Sequence, residues 1–281
     1  MPYITPDDQS AQTRPIGAGR VRIHHIGEAK ANGTPVTMLT AYDALTAPIF
    51  EAAGIDMLLV GDSIGNVMLG HSTTLPVTLD DMVRATRAVA RSVSRPMIVA
   101  DLPFGTYEDS PSRAFGSAAA LMRVGAHAVK LEGGAQRAHI VASLVAAGIP
   151  VVAHIGYTPQ SENALGGPRM QGRGQARSRL LEDAQALEEA GAFALVLEMV
   201  PDDVASLITE STSMTTIGIG AGPRTDGQVL VWSDMAGMTQ WTPSFVQRFA
   251  ELGRDLEEAT RHYISSVRSR QFPGVGHFKA E

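Results

Sequence analysis

Four short apolar runs in this chain end in charged residues. Removing a carboxylate from water costs free energy unless a cation or another partner compensates it, so four acids at the ends of four separate runs indicate one shared site. The chemistry that best fits such a site is a divalent metal acting on a carbonyl substrate. The runs are 58–63 (LLVGDS), 98–101 (IVAD), 129–134 (VKLEGG) and 195–198 (LVLE).

The four acids, taken singly, leave alternatives open. Asp62 and Asp101 could equally be turn or helix N-cap residues, because aspartate is common at both positions. Glu132 is not a favoured cap, and strand alternation puts it on the same face as Lys130, so a buried structural ion pair is the alternative there. Glu198 follows an apolar stretch, where it is either a general base or a partnered core carboxylate. Because Mg²⁺ prefers oxygen ligands and keeps several waters, these carboxylates predict a magnesium site.

Three weaker features accompany the acids. His154 ends another apolar run, and the residues leave open whether it is a core residue, a substrate contact or a ligand, so we do not assign it to the metal. The glycine-rich segment 218–223 (GIGAGP) could bring backbone close to a ligand, or it could be a tight turn. The basic segment 166–174 (GGPRMQGRG) is typical of a solvated loop; the alternatives are that it covers a site mouth or meets an anionic cofactor tail.

Composition narrows the class of protein. The chain has 281 residues, 44% of them hydrophobic, and a net charge of −6 without a basic stripe. These values are typical of a globular protein with a sizeable core and argue against nucleic-acid binding. The absence of cysteine from the sequence excludes disulfides and thiolate chemistry and suits a reducing compartment. Neither an apolar leader nor a bilayer-length apolar run is present, so we expect a soluble, unsecreted protein.

The elements that must position the acids alternate between strands and helices. Near-continuous apolar strands separated by helices favour parallel pairing, and eight of them predict a single-domain α/β fold, a (β/α)₈ TIM-type barrel. A doubly wound sheet is the competing fold, but its Gly-x-Gly-x-x-Gly turn is missing after the first strand. We assign residues 1–20 to a flexible N-terminal tail, 21–265 to the barrel and 266–281 to a C-terminal tail. The predicted strands are 36–40, 57–61, 97–100, 128–131, 150–153, 194–197, 215–219 and 228–232.

Five segments together resemble the 3-methyl-2-oxobutanoate hydroxymethyltransferase (ketopantoate hydroxymethyltransferase) family. They occur in the family's order, and the likeness extends from about Val21 to the helix at Phe245. The segments are MLTAYD at 38–43, GDSIGN at 61–66, ADLPFG at 100–105, VKLEGG at 129–134 and HIGYTP at 154–159.

The resemblance implies an activity and a set of roles. Members transfer a hydroxymethyl group from 5,10-methylenetetrahydrofolate to 3-methyl-2-oxobutanoate and form 2-dehydropantoate, the first committed step towards pantothenate. It further implies Mg²⁺, a cytoplasmic location and, in bacteria, a homodecamer. Carried over residue by residue, the metal positions are Asp62, Asp101 and Glu132, and the proton acceptor is Glu198. The keto acid would be held by Ser63 and Lys130 together with Asp62 and Asp101.

Two other functions remain open at this point. A magnesium-dependent carbon–carbon lyase or mutase of the phosphoenolpyruvate and isocitrate lyase type would use a similar barrel, although isocitrate lyases carry a catalytic cysteine that this sequence lacks. A barrel that binds ligand without turnover is the second alternative, because a fold alone does not establish an activity. The intact acids at 62, 101, 132 and 198 argue against it.

Overall fold

The structure, a computed structural model, describes residues 16–17 and 19–279. Eight parallel strands close into a barrel in the order β1 to β8, with β8 paired to β1. The predicted (β/α)₈ barrel is therefore confirmed. The strands are β1 Val36–Thr40, β2 Met57–Val60, β3 Met97–Asp101, β4 Ala128–Glu132, β5 Val151–Gly156, β6 Ala194–Glu198, β7 Thr215–Ile219 and β8 Gly227–Leu230.

Helices precede the barrel, connect its strands and follow it. Two of them begin at side-chain caps: Thr78 accepts a hydrogen bond from the Asp81 backbone, and Ser110 accepts one from the Arg113 backbone. Each such cap stabilises its helix by about 1 kcal/mol. The helices are α1 Ile23–Ala31, α2 Ala47–Ala52, α3 Ile64–Val67, α4 Leu79–Ser92, α5 Pro111–Arg123, α6 Ala138–Ala146, α7 Glu162–Leu165, α8 Ala176–Glu189, α9 Asp202–Ser211, α10 Trp232–Met235 and α11 Leu252–Arg268, with 3₁₀ turns at Ala135–Arg137, Pro159–Ser161 and Val275–His277.

The connection from β7 to β8 departs from the predicted alternation. The described residues 220–226 form a loop without a helix, and the eighth strand ends at Leu230, two residues earlier than predicted, because α10 begins at Trp232. The register explains why a short loop is enough. Gly227 pairs with Ile217, so the chain descends by only about two residues before β8 begins.

The core of the barrel comes from alternate residues of the strands, because successive side chains point to opposite faces. The interior contains Met38, Leu59, Val99, Val152 and Val196, all buried. This layer of the barrel interior is therefore apolar. The next inward-facing residues of the same strands lie at the carboxyl ends, so their side chains face the mouth of the barrel.

The chain divides into two compact units, residues 1–230 and residues 231–281. All eight strands belong to the first unit, while α10 and α11 belong to the second. The predicted limits of the barrel domain, 21–265, stay a prediction, and α11 extends to Arg268, past the predicted start of the C-terminal tail.

The predicted N-terminal tail, 1–20, lies mostly outside the described residues. Ile16, within it, packs against the barrel core, and its backbone N–H donates to Asp56 Oδ1 over 2.8 Å. Among the described residues, no helix is both long and apolar enough to cross a membrane.

Candidate active site

The charged residues at the barrel mouth continue the same strand faces that build the core. Each lies two positions after another buried residue of the same strand face, so strand alternation points both side chains into the barrel. The sequence therefore brings three acids, a lysine and a histidine together without any special loop. The pairs of apolar and polar residues are Val99 and Asp101 on β3, Ala128 and Lys130 on β4 with Glu132 following, Val152 and His154 on β5, and Val196 and Glu198 on β6.

Lys130 is the cation of this cluster. Its Nζ lies 2.9 Å from Asp101 Oδ1 and 3.9 Å from Glu132 Oε1, with all three side chains buried. Burial alone would lower the pKa of Lys130, but attraction to Asp101, Glu132 and Asp62 outweighs it and holds that pKa above its ordinary value. The predicted common face of Lys130 and Glu132 is confirmed, and the lysine is held as a protonated ammonium group.

His154 joins two carboxylates that the sequence leaves separate. Its Nδ1 lies 3.3 Å from Glu132 Oε1, and its Nε2 lies 3.3 Å from Glu198 Oε2. Burial and Lys130 act to lower the pKa of His154, yet contact with Glu132 and Glu198 raises it to about 9. At neutral pH the imidazole is therefore charged and both of its nitrogens are donors. Although burial opposes it, the contact with His154 lowers the pKa of Glu132.

Asp62 lies in the turn directly after β2 and is buried. Its backbone N–H donates to Asp101 Oδ2 over 3.0 Å, which fixes the two residues side by side. Burial, followed by repulsion from Asp101 and Glu132, raises the pKa of Asp62 well above its usual range. Gly61 makes this approach possible, because a Cβ there would lie 2.9 Å from Ser63 Oγ and 3.4 Å from Asp101 Oδ2.

Ser63 has a buried partner, Tyr42. The Tyr42 hydroxyl and Ser63 Oγ lie 2.8 Å apart, and either atom can be the donor. Burial raises the pKa of Tyr42, so the phenol stays protonated and able to donate. Tyr42 belongs to the MLTAYD segment, but the sequence alone gave no reason to assign it to the site.

Gln160 and Tyr107 also belong to the site, although the sequence did not identify them. Gln160 follows β5, and its side-chain Nε2 donates to Asp62 Oδ2 over 2.9 Å. Tyr107 comes from the loop after β3, and its hydroxyl donates to Gln160 Oε1 over 2.6 Å. A glutamine and a tyrosine in loops carry no local signal of burial, so only the closed barrel brings them together.

Glu198 is the acid that faces outward. Its side chain is 17% exposed, while those of Glu132 and His154 are 2% and 3% exposed. The predicted apolar setting is only partly found, since His154 lies against the carboxylate. Gly156, at φ +96°, lets β5 approach closely, because a Cβ there would overlap the Glu198 carbonyl oxygen. Met199, which follows, has a left-handed φ of +49°, uncommon for a residue with a side chain.

The donor set fits a hard divalent cation. Asp62, Asp101 and Glu132 are buried oxygen donors, and Lys130 with charged His154 leaves the three carboxylates in excess by one negative charge. A cation beside Asp62 would offset the repulsion that raises its pKa.

The described side chains nevertheless bring no three acids or histidines into an arrangement that could itself hold a metal. Mg²⁺ is commonly held by one or two carboxylates with waters and substrate, so two neighbouring acids such as Asp62 and Asp101 would be enough to hold it. Both oxygens of Glu132 already have partners, Oε2 with the Gln160 N–H and Oε1 with His154.

The glycine-rich segment after β7 has a structural explanation. Gly220 and Gly222 have φ of +62° and +81°. Gly222 lies against the side chain of Asp202, and Asp202 forms an ion pair with Arg224 at 2.7 Å. The segment is the turn that returns the chain to β8. In the basic loop, Arg169 donates to the Gly166 carbonyl over 2.7 Å.

Fold and site define the class: an enzyme built on a (β/α)₈ barrel, with a buried carboxylate, lysine and histidine cluster at the strand ends. Comparison with known proteins gives the family. Residues 20–275 match the family described as ketopantoate hydroxymethyltransferase. The chain belongs to this family.

Curated relatives agree over nearly the whole length. The 3-methyl-2-oxobutanoate hydroxymethyltransferase of Corynebacterium glutamicum is 55% identical over 92% of this chain and 97% of its own. That of Leifsonia xyli subsp. xyli is 52% identical over 99% of both chains.

Solved structures with the same fold are more distant in sequence. A phosphonopyruvate hydrolase, solved with oxalate and Mg²⁺, has a TM-score of 0.60 at 16% identity and covers 92% of this chain and 93% of its own. A 2,3-dimethylmalate lyase of the PEP mutase/isocitrate lyase superfamily has a TM-score of 0.59 at 17% identity and covers 90% and 89%. At these identities the likeness shows the fold alone.

Proposed function

We propose that this enzyme transfers the one-carbon unit of 5,10-methylenetetrahydrofolate to C3 of 3-methyl-2-oxobutanoate, forming 2-dehydropantoate in the cytoplasm on the route to pantothenate. Family membership over residues 20–275 supports the reaction. The observation that carries the proposal is the cluster of Asp101, Lys130, Glu132 and His154 with Glu198 at the mouth.

The buried charged residues at the barrel mouth would bind the keto acid. Asp62 and Asp101, with Glu132 behind them, would hold Mg²⁺, which when bound supplies electrophilic polarisation of the substrate's keto and carboxylate oxygens. Lys130 would contribute positive charge beside the bound acid, and the Ser63 hydroxyl, backed by Tyr42 at 2.8 Å, would orient it. These groups together would compensate the charge of an anionic substrate.

Lys130 acts by charge and not by covalent chemistry. A Schiff base needs a neutral amine, whereas Asp101 at 2.9 Å and the raised pKa keep Lys130 protonated. The lysine therefore neutralises charge, and the reaction does not pass through a covalent adduct on it.

Glu198 is the proposed base for the C3 proton. Removing a proton beside a ketone requires a positioned carboxylate that the substrate can reach. The Glu198 side chain is more exposed than those of Asp101 and Glu132. His154 Nε2 lies 3.3 Å from one oxygen of Glu198 as an ion-pair contact, and the Glu198 side chain stays 17% exposed. Once the proton has left C3, that carbon can attack the one-carbon unit positioned above it. One water is consumed and supplies the hydroxyl oxygen of the product, the bonds from the one-carbon unit to the folate nitrogens break, and tetrahydrofolate leaves.

Assembly of copies is part of the proposal, as the homodecamer that the resemblance implies. Supporting it, helix α11 carries a row of large apolar side chains at helical spacing that stay exposed. Leu252, Leu256, Tyr263 and Val267 are 44%, 59%, 59% and 42% exposed. Multi-angle light scattering of the purified chain tests the subunit number directly.

The deciding experiment for the reaction is product identification. Protein supplied with Mg²⁺, 3-methyl-2-oxobutanoate and 5,10-methylenetetrahydrofolate should form 2-dehydropantoate, detected by mass spectrometry, and chelation with EDTA should stop its formation. The lyase or mutase alternative is tested alongside with phosphoenolpyruvate and isocitrate-type acids. Turnover of those acids without 2-dehydropantoate formation would overturn the proposal.

A further inference from the structure

We infer that Gln160 is a positioning residue that orients the Asp62 and Glu132 carboxylates, and that Tyr107 fixes the direction of its amide. This inference rests on the proposed magnesium site. Gln160 contacts both acids at once: its Nε2 donates to Asp62 Oδ2 and its backbone N–H donates to Glu132 Oε2, each over 2.9 Å. One residue thus joins acids from two different strand ends.

The direction of the Gln160 amide follows from its surroundings. The atom that faces Asp62 also lies 2.9 Å from the Leu102 carbonyl oxygen, which can only accept. That atom must therefore be the NH₂ group, and the amide oxygen faces Tyr107 at 2.6 Å. A flipped amide would place an oxygen against a carboxylate and a carbonyl.

Tyr107, in the loop after β3, sets this direction through its contact with Glu132 at the end of β4. The Glu132 backbone N–H donates to the Tyr107 hydroxyl oxygen over 3.1 Å, so the tyrosine accepts there and donates onward. Its proton has two acceptors, Gln160 Oε1 at 2.6 Å and the Glu132 carbonyl at 3.2 Å, and the shorter contact is to Gln160. Hydrogen bonds thus run from Glu132 through Tyr107 and Gln160 to Asp62, with every member buried.

Hydrogen bonds of this kind determine how a ligand presents its oxygens to a metal. Removing the group that orients a ligand typically costs 10- to 100-fold in metal affinity. Gln160 occupies one oxygen of Asp62 and one of Glu132, which leaves their remaining lone pairs directed elsewhere. We therefore expect its loss to weaken metal binding before it affects folding.

Two variants and one control test the inference. Gln160→Met keeps the length of the side chain and removes the amide, while Tyr107→Phe removes only the hydroxyl. Ser117→Ala is the control, because Ser117 is buried and donates to the Thr106 carbonyl beside Tyr107 without touching the site. Mg²⁺ affinity is measured by calorimetry and Mn²⁺ binding by electron paramagnetic resonance, both on the full chain without substrate.

Gln160→Met should raise the Mg²⁺ Kd by 10- to 100-fold and Tyr107→Phe by 3- to 10-fold, with Ser117→Ala within twofold of wild type. Mg²⁺ at tenfold above the new Kd should restore kcat of Gln160→Met to within threefold, and KM for the folate should stay within twofold. A residue needed only for packing would give a low kcat that metal does not restore.

An unchanged Kd in both variants, with wild type binding Mg²⁺, would overturn the role of Gln160 and leave the proposed function standing. Wild type that binds no Mg²⁺ and forms no product would overturn the proposed function, and the inference with it. If Gln160→Met does not fold by circular dichroism, Tyr107→Phe alone decides.

Discussion

Replacing Lys130 by methionine should destabilise the barrel, because it leaves Asp101 buried without a cation and Glu132 with His154 alone. The Nζ lies 2.9 Å from Asp101 and 3.9 Å from Glu132. At an effective dielectric constant of about 20, these distances correspond to gross attractions of about 6 and about 4 kcal/mol. Desolvation offsets much of this, and breaking a buried pair on one side costs about 3–5 kcal/mol. We expect a loss in that range for Lys130→Met.

A double-mutant cycle isolates the pair. Asp101→Asn alone should lower the free energy of unfolding by about 2 kcal/mol, since Lys130 keeps its contact with Glu132. The Lys130→Met/Asp101→Asn double variant should lose about 3 kcal/mol, which is less than the sum of the two single losses. The coupling free energy should be about 2–4 kcal/mol, and smaller in the parallel cycle with Glu132→Gln because that contact is longer.

Urea denaturation in EDTA, which removes any metal contribution, measures these free energies. Circular dichroism is the appropriate signal, because both tryptophans, Trp232 and Trp241, lie in the unit 231–281 and not in the barrel strands. A cost below about 1 kcal/mol for Lys130→Met, or a coupling below about 0.5 kcal/mol, would refute the assignment of Lys130 as the cation that balances the site.

Three further predictions concern other parts of the barrel. Burial, with Arg20 and Arg22 nearby, lowers the pKa of His127 to about 4, so the unfolded chain binds the proton more tightly than the folded chain does. The free energy of unfolding should therefore be highest above pH 6.5 and should fall as the pH is lowered towards 4. Because the ring is partly exposed, we expect a loss of about 1–2 kcal/mol. His127→Asn, which keeps an acceptor for the Ile98 N–H, should flatten this pH dependence in urea titrations. Gly156→Ala should lower the free energy of unfolding by at least about 2 kcal/mol in the same assay, because residue 156 has a positive φ and a Cβ there would overlap the Glu198 carbonyl oxygen. Gly116→Ala, on the exposed face of α5, should raise it by up to about 1 kcal/mol. Equal effects of the two substitutions would refute the argument. Asp101→Ala should weaken Mg²⁺ binding in calorimetry at least tenfold with the barrel still folded, and unchanged affinity would remove Asp101 from the metal site.

Strand order and strand faces were predictable because both follow from local patterns. Continuous apolar runs predicted the ends of the barrel strands to within three residues. The common face of Lys130 and Glu132 followed from alternation alone.

Contacts across the barrel were not predictable in the same way. His154 was left undecided because its partners, Glu132 and Glu198, come from strands on either side of β5. Gln160 and Tyr107 lie 53 residues apart in sequence, and neither carries a periodic signal. The missing helix between β7 and β8 was also overlooked, since the glycine-rich loop reads like any other connection until the register is known.

Deuterium exchange at C3 tests the central claim, that Glu198 is the base of a magnesium-assisted reaction on the keto acid. With Mg²⁺ and 3-methyl-2-oxobutanoate in deuterated water and no folate, proton NMR should show wild type exchanging the C3 hydrogen. Glu198→Gln keeps the shape of the side chain and removes its basic oxygen, so exchange should be abolished while Mg²⁺ and substrate affinities change by less than about tenfold, equivalent to about 1.4 kcal/mol. Exchange by Glu198→Gln at the wild-type rate would show that another residue takes the proton.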